Sequence, residues 1–164
     1  MKKRLLFLAV ALLLPSALHA RFGFGVGGGF CFSAAPNEFA SASFRADTSP
    51  WCFGVSVHSN GAFSVSADNW VIHKKLSDTI SWFALWGLSL EFRRGFSEDA
   101  ADFEAAFGSR AGAGMDFFFL ERRMELSSHI VWDMQTGVER TDGDLSFLFR
   151  PAHFPCSLSL RLWF

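Results

Sequence analysis

The sequence predicts an all-β protein, a closed eight-stranded antiparallel up-and-down barrel that crosses a membrane. Three observations predict it. Apolar residues alternate with small or polar ones through almost the whole chain after residue 20, the period of strands that are apolar on one face. The chain ends on such a strand, with Cys156, Leu158, Leu160, Leu162 and Phe164 on one face and Ser157, Ser159, Arg161 and Trp163 on the other. Glycines gather on the face opposite the phenylalanines, at Gly23, Gly25, Gly27, Gly29, Gly108, Gly112 and Gly114. A water-facing surface gains nothing from residues that each cost a regular element about 0.5–1 kcal/mol, whereas a narrow closed interior needs small residues opposite bulky ones. The inversion follows: phenylalanines outward, small and ionised residues inward.

Residues 1–20 are read as a secretory signal peptide. Lys2, Lys3 and Arg4 form a basic head, Leu5 to Leu14 an unbroken apolar run, and Ser16 to Ala20 a small-residue exit. That run is too short to cross a bilayer as a helix. Residues 21–164 then form the barrel domain, in which twelve Lys and Arg face sixteen Asp and Glu, a formal charge of −4. Nothing in this balance suggests nucleic acid. Three cysteines, Cys31, Cys52 and Cys156, leave every single pairing open, as well as no bond at all.

Residues 21–33 are the first strand, with Phe22, Phe24, Val26, Phe30 and Phe32 on one face. Its glycines alternate with phenylalanines, which no flexible linker does. A turn at 34–37 leads to a weaker strand, 38–46, and 47–50 turns the chain again. In the next hairpin, Trp51, Phe53, Val55 and Val57 must share a face with Phe63, Val65 and Ala67. Phase therefore selects a three-residue loop, Ser59, Asn60 and Gly61, setting Val57 opposite Phe63 with Gly61 left-handed. The return strand is read to about Ile72, with a basic turn over 73–78.

The second half carries longer runs, 80–93 and 103–119, beyond the usual five or six residues. A turn at 120–123 starts a strand with Met124, Leu126, Ile130 and Trp132 on one face, and 141–144 is a hairpin turn. Phe147 and Phe149 fall in odd phase but Phe154 onward in even phase. The last strand must therefore carry a bulge or break near 151–155. Eight strands at ~18 residues each, connections included, match the small membrane barrels.

The closing strand resembles the carboxy-terminal signature of bacterial outer-membrane β-barrels, and the whole of 21–164 is similar to the OmpA, OmpX and OmpW group. The resemblance implies that Leu158, Leu160, Leu162 and Phe164 form the signal read by the outer-membrane assembly machinery. It implies an outer-membrane location, surrounding outer-membrane lipid and both termini in the periplasm. The chain has no Tyr, where the family's interfacial girdles use it freely, leaving Trp51, Trp82, Phe92 and Phe119 to serve. A soluble lipocalin-like barrel or sandwich is the structural rival, burying the Phe face.

Pairing Phe119 with Met124 places Arg110 across from Asp133, both inward, with Glu91 on the preceding strand at similar height. Arg161 and Glu125 lie near the other end on adjacent strands. Inward charges need partners, so these are read as lumen-packing pairs. Ser127 and His129 share a strand face, but two residues along a strand is ~6.6 Å, too far for ready hydrogen bonding. No enzyme activity is expected, although outer-membrane lipid A deacylases place Ser and His in a strand wall. His58, His73 and His153 lack metal-ligand spacing, and neither metal nor cofactor is expected.

The outward connections at 94–102 and 139–144 are acidic and would meet a host or surface partner, while the inward turns carry Lys74, Lys75, Arg122 and Arg123. Strands five to eight outlast the ~9–11 residues that cross a bilayer. The projecting wall resembles that of OmpX, whose edge suits an extended partner strand. The leading expectation is a structural or adhesive surface protein with a packed lumen. The alternatives are an OmpW-like channel for small hydrophobic solutes and, behind it, a lipid-modifying hydrolase.

Overall fold

The computed structural model describes residues 20–94, 103–141 and 143–164. The signal segment, most of the 94–102 connection and Asp142 lie outside the described residues. The chain forms strands β1 (Phe22–Phe32), β2 (Asn37–Ala46), β3 (Trp51–His58), β4 (Ala62–Lys75), β5 (Ile80–Arg94), β6 (Phe103–Phe119), β7 (Met124–Thr141), β8 (Asp144–Arg150) and β9 (Phe154–Trp163). Each pairs antiparallel with its sequence neighbour from β1 to β8, and β9 joins β7 to β1. The result is a closed barrel of eight staves, in which β8 and β9 are two segments of the last one. At the seam Phe164 N–H donates to the Phe22 carbonyl (2.9 Å) and Phe22 N–H to that of Phe164 (3.2 Å).

The break in the last stave lies at 151–153. β8 is in register with β7 through Gln135 opposite Arg150, and β9 through Ile130 opposite Cys156. The register sums differ by one, so one extra residue is accommodated between them, and both Phe147 and Leu158 remain outward. Trp132 Nε1 donates to the Pro151 carbonyl (2.6 Å), which satisfies an acceptor that the interrupted ladder would leave unpaired. The β3–β4 loop is the three-residue one, with Val57 opposite Phe63 and Gly61 at φ 81°.

β4 runs three residues beyond the expected Ile72 because it contains a bulge. Asn69 pairs with Trp86 but Ile72 with Ala84, so Trp70 and Val71 together oppose Leu85. Trp70 turns inward and is buried, while Val71 and Ile72 are exposed. His73 is thereby returned to the inner face.

The apolar side chains point outward. Val26 is 68 % exposed and Phe24 57 %, whereas Asp133, Glu125 and Asp116 are at most 2 % exposed. This is the reverse of a soluble core. The glycine face is crowded for the expected reason: a Cβ on Gly25 would stand 2.6 Å from Ser43 Oγ, and one on Gly29 the same distance from the Phe39 ring. The interior is not wholly polar. Trp70, Phe83, Leu85 and Val131 form a small buried cluster, with Trp70 stacked on Phe83 at 3.8 Å. Strand phase accounts for their inner-face position, but phase alone does not bring them into contact.

Candidate functional site: the lumen and its charge clusters

The lumen is closed by two layers of paired charges. Near the termini, Arg161 Nη1 lies 2.5 Å from Glu125 Oε1, and Trp163 Nε1 donates to Glu125 Oε2 (2.9 Å). Arg161 Nη2 also donates to Ser43 Oγ (3.2 Å) and approaches Cys52 Sγ (3.4 Å). These partners of Arg161 come from three strands, β2, β3 and β7, so one guanidinium on β9 ties four strands of the inner wall together. Arg45 stacks over Trp70 at 3.8 Å, a cation–π contact that places a second arginine in the same layer. His73 Nε2 lies 3.0 Å from Asp116 Oδ2.

Toward the other end, Arg110 stands opposite Asp133 in register, with Nη1 3.7 Å from Asp133 Oδ2. Its nearer partner is Asp68 on β4, reached past Gly87, which pairs with both, and 2.9 Å from Nε. That approach is an ion pair without a hydrogen bond, since neither Arg110 Nε nor Asp68 Oδ1 has a hydrogen-bonding partner. Ser89 Oγ donates to both Asp133 oxygens (3.0 and 2.9 Å). Glu91 does not pair with Arg110. Arg150 reaches it at 3.1 Å and Gln135 Nε2 at 3.3 Å. Arg150 Nη2 also lies 2.6 Å from Glu104 Oε1 as an ion pair, while Arg93 Nη2 donates a hydrogen bond to Glu104 Oε2 (2.5 Å). Asp68, Glu104, Gln135 and Arg150 thus belong to the network and were missed. Asp68 had no local signal, because its register beside Gly87 and Arg110 depends on the β4 bulge.

Between the layers lies a cavity of about 80 Å³ bordered by serines of β2, β3, β4, β5, β7 and β9 and by apolar side chains such as Phe39 and Leu85. A water needs at least roughly 10–15 Å³ of such space, so this is room for a few waters. Burying paired charges stabilises little by itself, because desolvation offsets most of the attraction. What the pairs do is fill an interior that eight staves make too narrow for much besides side chains.

His129 hydrogen-bonds Ser157 Oγ across β7 and β9 (3.0 and 3.2 Å), and among the described residues no hydrogen bond joins it to Ser127. The three cysteines are unbridged. Cys31 faces inward and is fully buried, whereas Cys156, paired with the outward Phe30, lies on the outer face. Leu158, Leu160, Leu162 and Phe164 also project outward along β9, with Phe164 74 % exposed.

No family model matches the chain, and no curated protein matches it in sequence. Solved structures of similar fold exist. The N-terminal β-barrel domain of Pseudomonas aeruginosa OprF superposes with a TM-score of 0.53 at 16 % identity, over 88 % of this chain and 97 % of that one. A major outer membrane protein from Thermus thermophilus gives a TM-score of 0.50 at 13 % identity, over 87 % and 99 %. With its eight closed antiparallel staves and outward apolar face, the chain has the fold of the small outer-membrane β-barrels.

Proposed function

We propose that the protein is an integral outer-membrane barrel with a closed lumen, whose taller wall makes strand-edge contacts with extended segments of surface partners. The outward apolar face supports the membrane assignment, since surface of that extent is stable only against acyl chains. The charge layers support a lumen that does not conduct.

The observation that carries the surface role is the unequal height of the wall. β1, β2 and β3 have 11, 10 and 8 residues, about the ~9–11 that cross a bilayer. β5, β6 and β7 have 15, 17 and 18. Glu38, outward at the top of β2, marks the apolar limit on the short side, and the tall side rises past it. Among the described residues, β8 pairs with β7 alone, and Leu145 and Phe147 on it are 67 % and 74 % exposed. An open, apolar edge clear of the membrane is a template for strand addition.

The test is adhesion of cells displaying the wild-type chain compared with Phe147→Pro, which removes one backbone donor from the edge. Adhesion lost in the variant, with folding and surface level intact, supports the reading. Equal adhesion by both removes it. Reproducible single-channel conductance in planar bilayers, altered by Arg110→Ala, would replace the closed lumen with the narrow-channel reading.

A further inference from the structure

The mouth of the lumen at the chain termini holds three arginines, one of them the Arg45 that stacks on Trp70. Arg21, Arg45 and Arg122, with His73, line a cavity of about 240 Å³ walled by Trp163 and Phe118. Among the described residues, no carboxylate oxygen lies within 4.0 Å of any of the three guanidinium groups. Asp47, the one acid at the cavity, accepts from the backbone N–H of Arg21 (3.0 Å). Arg45 is 7 % exposed, and its Nε and Nη1 have no hydrogen-bonding partner. Its Nη2 meets only His73 Nδ1, at 3.4 Å.

A second, independent feature lies at the rim. Leu120, Glu121 and Arg122 adopt φ of 48°, 55° and 64° in succession, a left-handed conformation disfavoured for side-chain-bearing residues. That turn lays the Arg122 guanidinium over Phe118 at 4.2 Å and gives the Arg122 carbonyl to Arg21 Nη2 at 2.8 Å. Arg21 and Arg45 stand 5.9 and 6.0 Å from the Trp163 ring. Three like charges are thus converged on one aromatic wall with a strained turn holding one of them.

We propose that this mouth binds a phosphate-type oxyanion. Guanidinium groups match the oxygens of a phosphate in pairs, and partial exclusion of water by Trp163 and Phe118 strengthens each contact. Two sources carry this chemistry, free phosphate and the headgroup of a phospholipid in the adjoining leaflet.

The experiment uses the barrel folded in an uncharged, phosphate-free detergent, with heat-modifiable migration as the check on folding. Inorganic phosphate is titrated by calorimetry, and retention of phosphatidylglycerol from mixed micelles is read by native mass spectrometry. Binding of free phosphate assigns a soluble ligand, and retention of phospholipid alone assigns the headgroup. Either ligand should bind at least tenfold more weakly to Arg122→Gln and equally well to Lys74→Gln, which lies on the outer face beyond the cavity. If the strained turn does not tolerate Arg122→Gln, Arg21→Gln gives the same readout. Binding of neither ligand, or equal binding by the arginine variants, overturns the proposal.

Discussion

Arg161 and Glu125 face each other across β9 and β7, 2.5 Å apart, at 2 % and 0 % exposure. Breaking such a pair is costly mainly because the survivor is left charged in a place without water. Glu125→Ala should lower unfolding free energy by about 3–5 kcal/mol, measured by urea titration of the detergent-folded barrel. Arg161→Met with Glu125→Leu, which removes both charges, should recover most of that loss. A double variant as unstable as the single one would mean that the pair stabilises beyond its own desolvation.

Gly25 leaves space that Ser43 occupies, since a Cβ there would meet Ser43 Oγ at 2.6 Å and nothing else within 3.4 Å. Gly25→Ala should cost about 1–3 kcal/mol by overpacking, and Ser43→Gly in the same chain should restore stability to near the wild-type value. Additive effects in the double-mutant cycle would show that the crowding lies elsewhere.

The thiols divide by face. A membrane-soluble maleimide should label Cys156 in the folded barrel and leave Cys31 unmodified until the protein is unfolded, as read by intact-mass spectrometry. Cys31 labelled at the rate of Cys156 would contradict its burial.

Phe164 is 74 % exposed and touches Phe24 edge-on, with ring centroids 6.3 Å apart, while the seam is closed by backbone hydrogen bonds. Phe164→Ala should therefore change the urea midpoint of detergent-folded protein little. If the side chain is an assembly signal, folding into bilayers by the purified assembly machinery should slow several-fold. Unchanged machinery-driven rates would leave Phe164 as an ordinary lipid-facing residue.

The architecture was legible where a rule depends only on neighbours in sequence. Phase alone selected the loop at Gly61, and the odd-to-even change between Phe149 and Phe154 located the break in the last stave. Placing Arg110 opposite Asp133 likewise needs only strand phase and the length of one turn. Asp68 joins the network through a β4–β5 register that the bulge sets, and Arg150 by reaching Glu91 and Glu104 on β5 and β6, which no local pattern records. The β4 bulge was hidden for another reason. Trp70, Val71 and Ile72 are all apolar, so alternation has no mark there to show which of them is the extra one.

That extra residue sets what the strand can tolerate. Deleting Val71 would leave Trp70 opposite Leu85, Ile72 opposite Ala84 and His73 opposite Phe83, so His73 would stay inward and Lys74 outward. Pairing the strand straight through with every residue kept would instead turn His73 to the lipid side and Lys74 inward. Loss of one residue therefore spares the lumen lining at the bulge, whereas the same loss within Ala62 to Asn69 would turn part of the strand over.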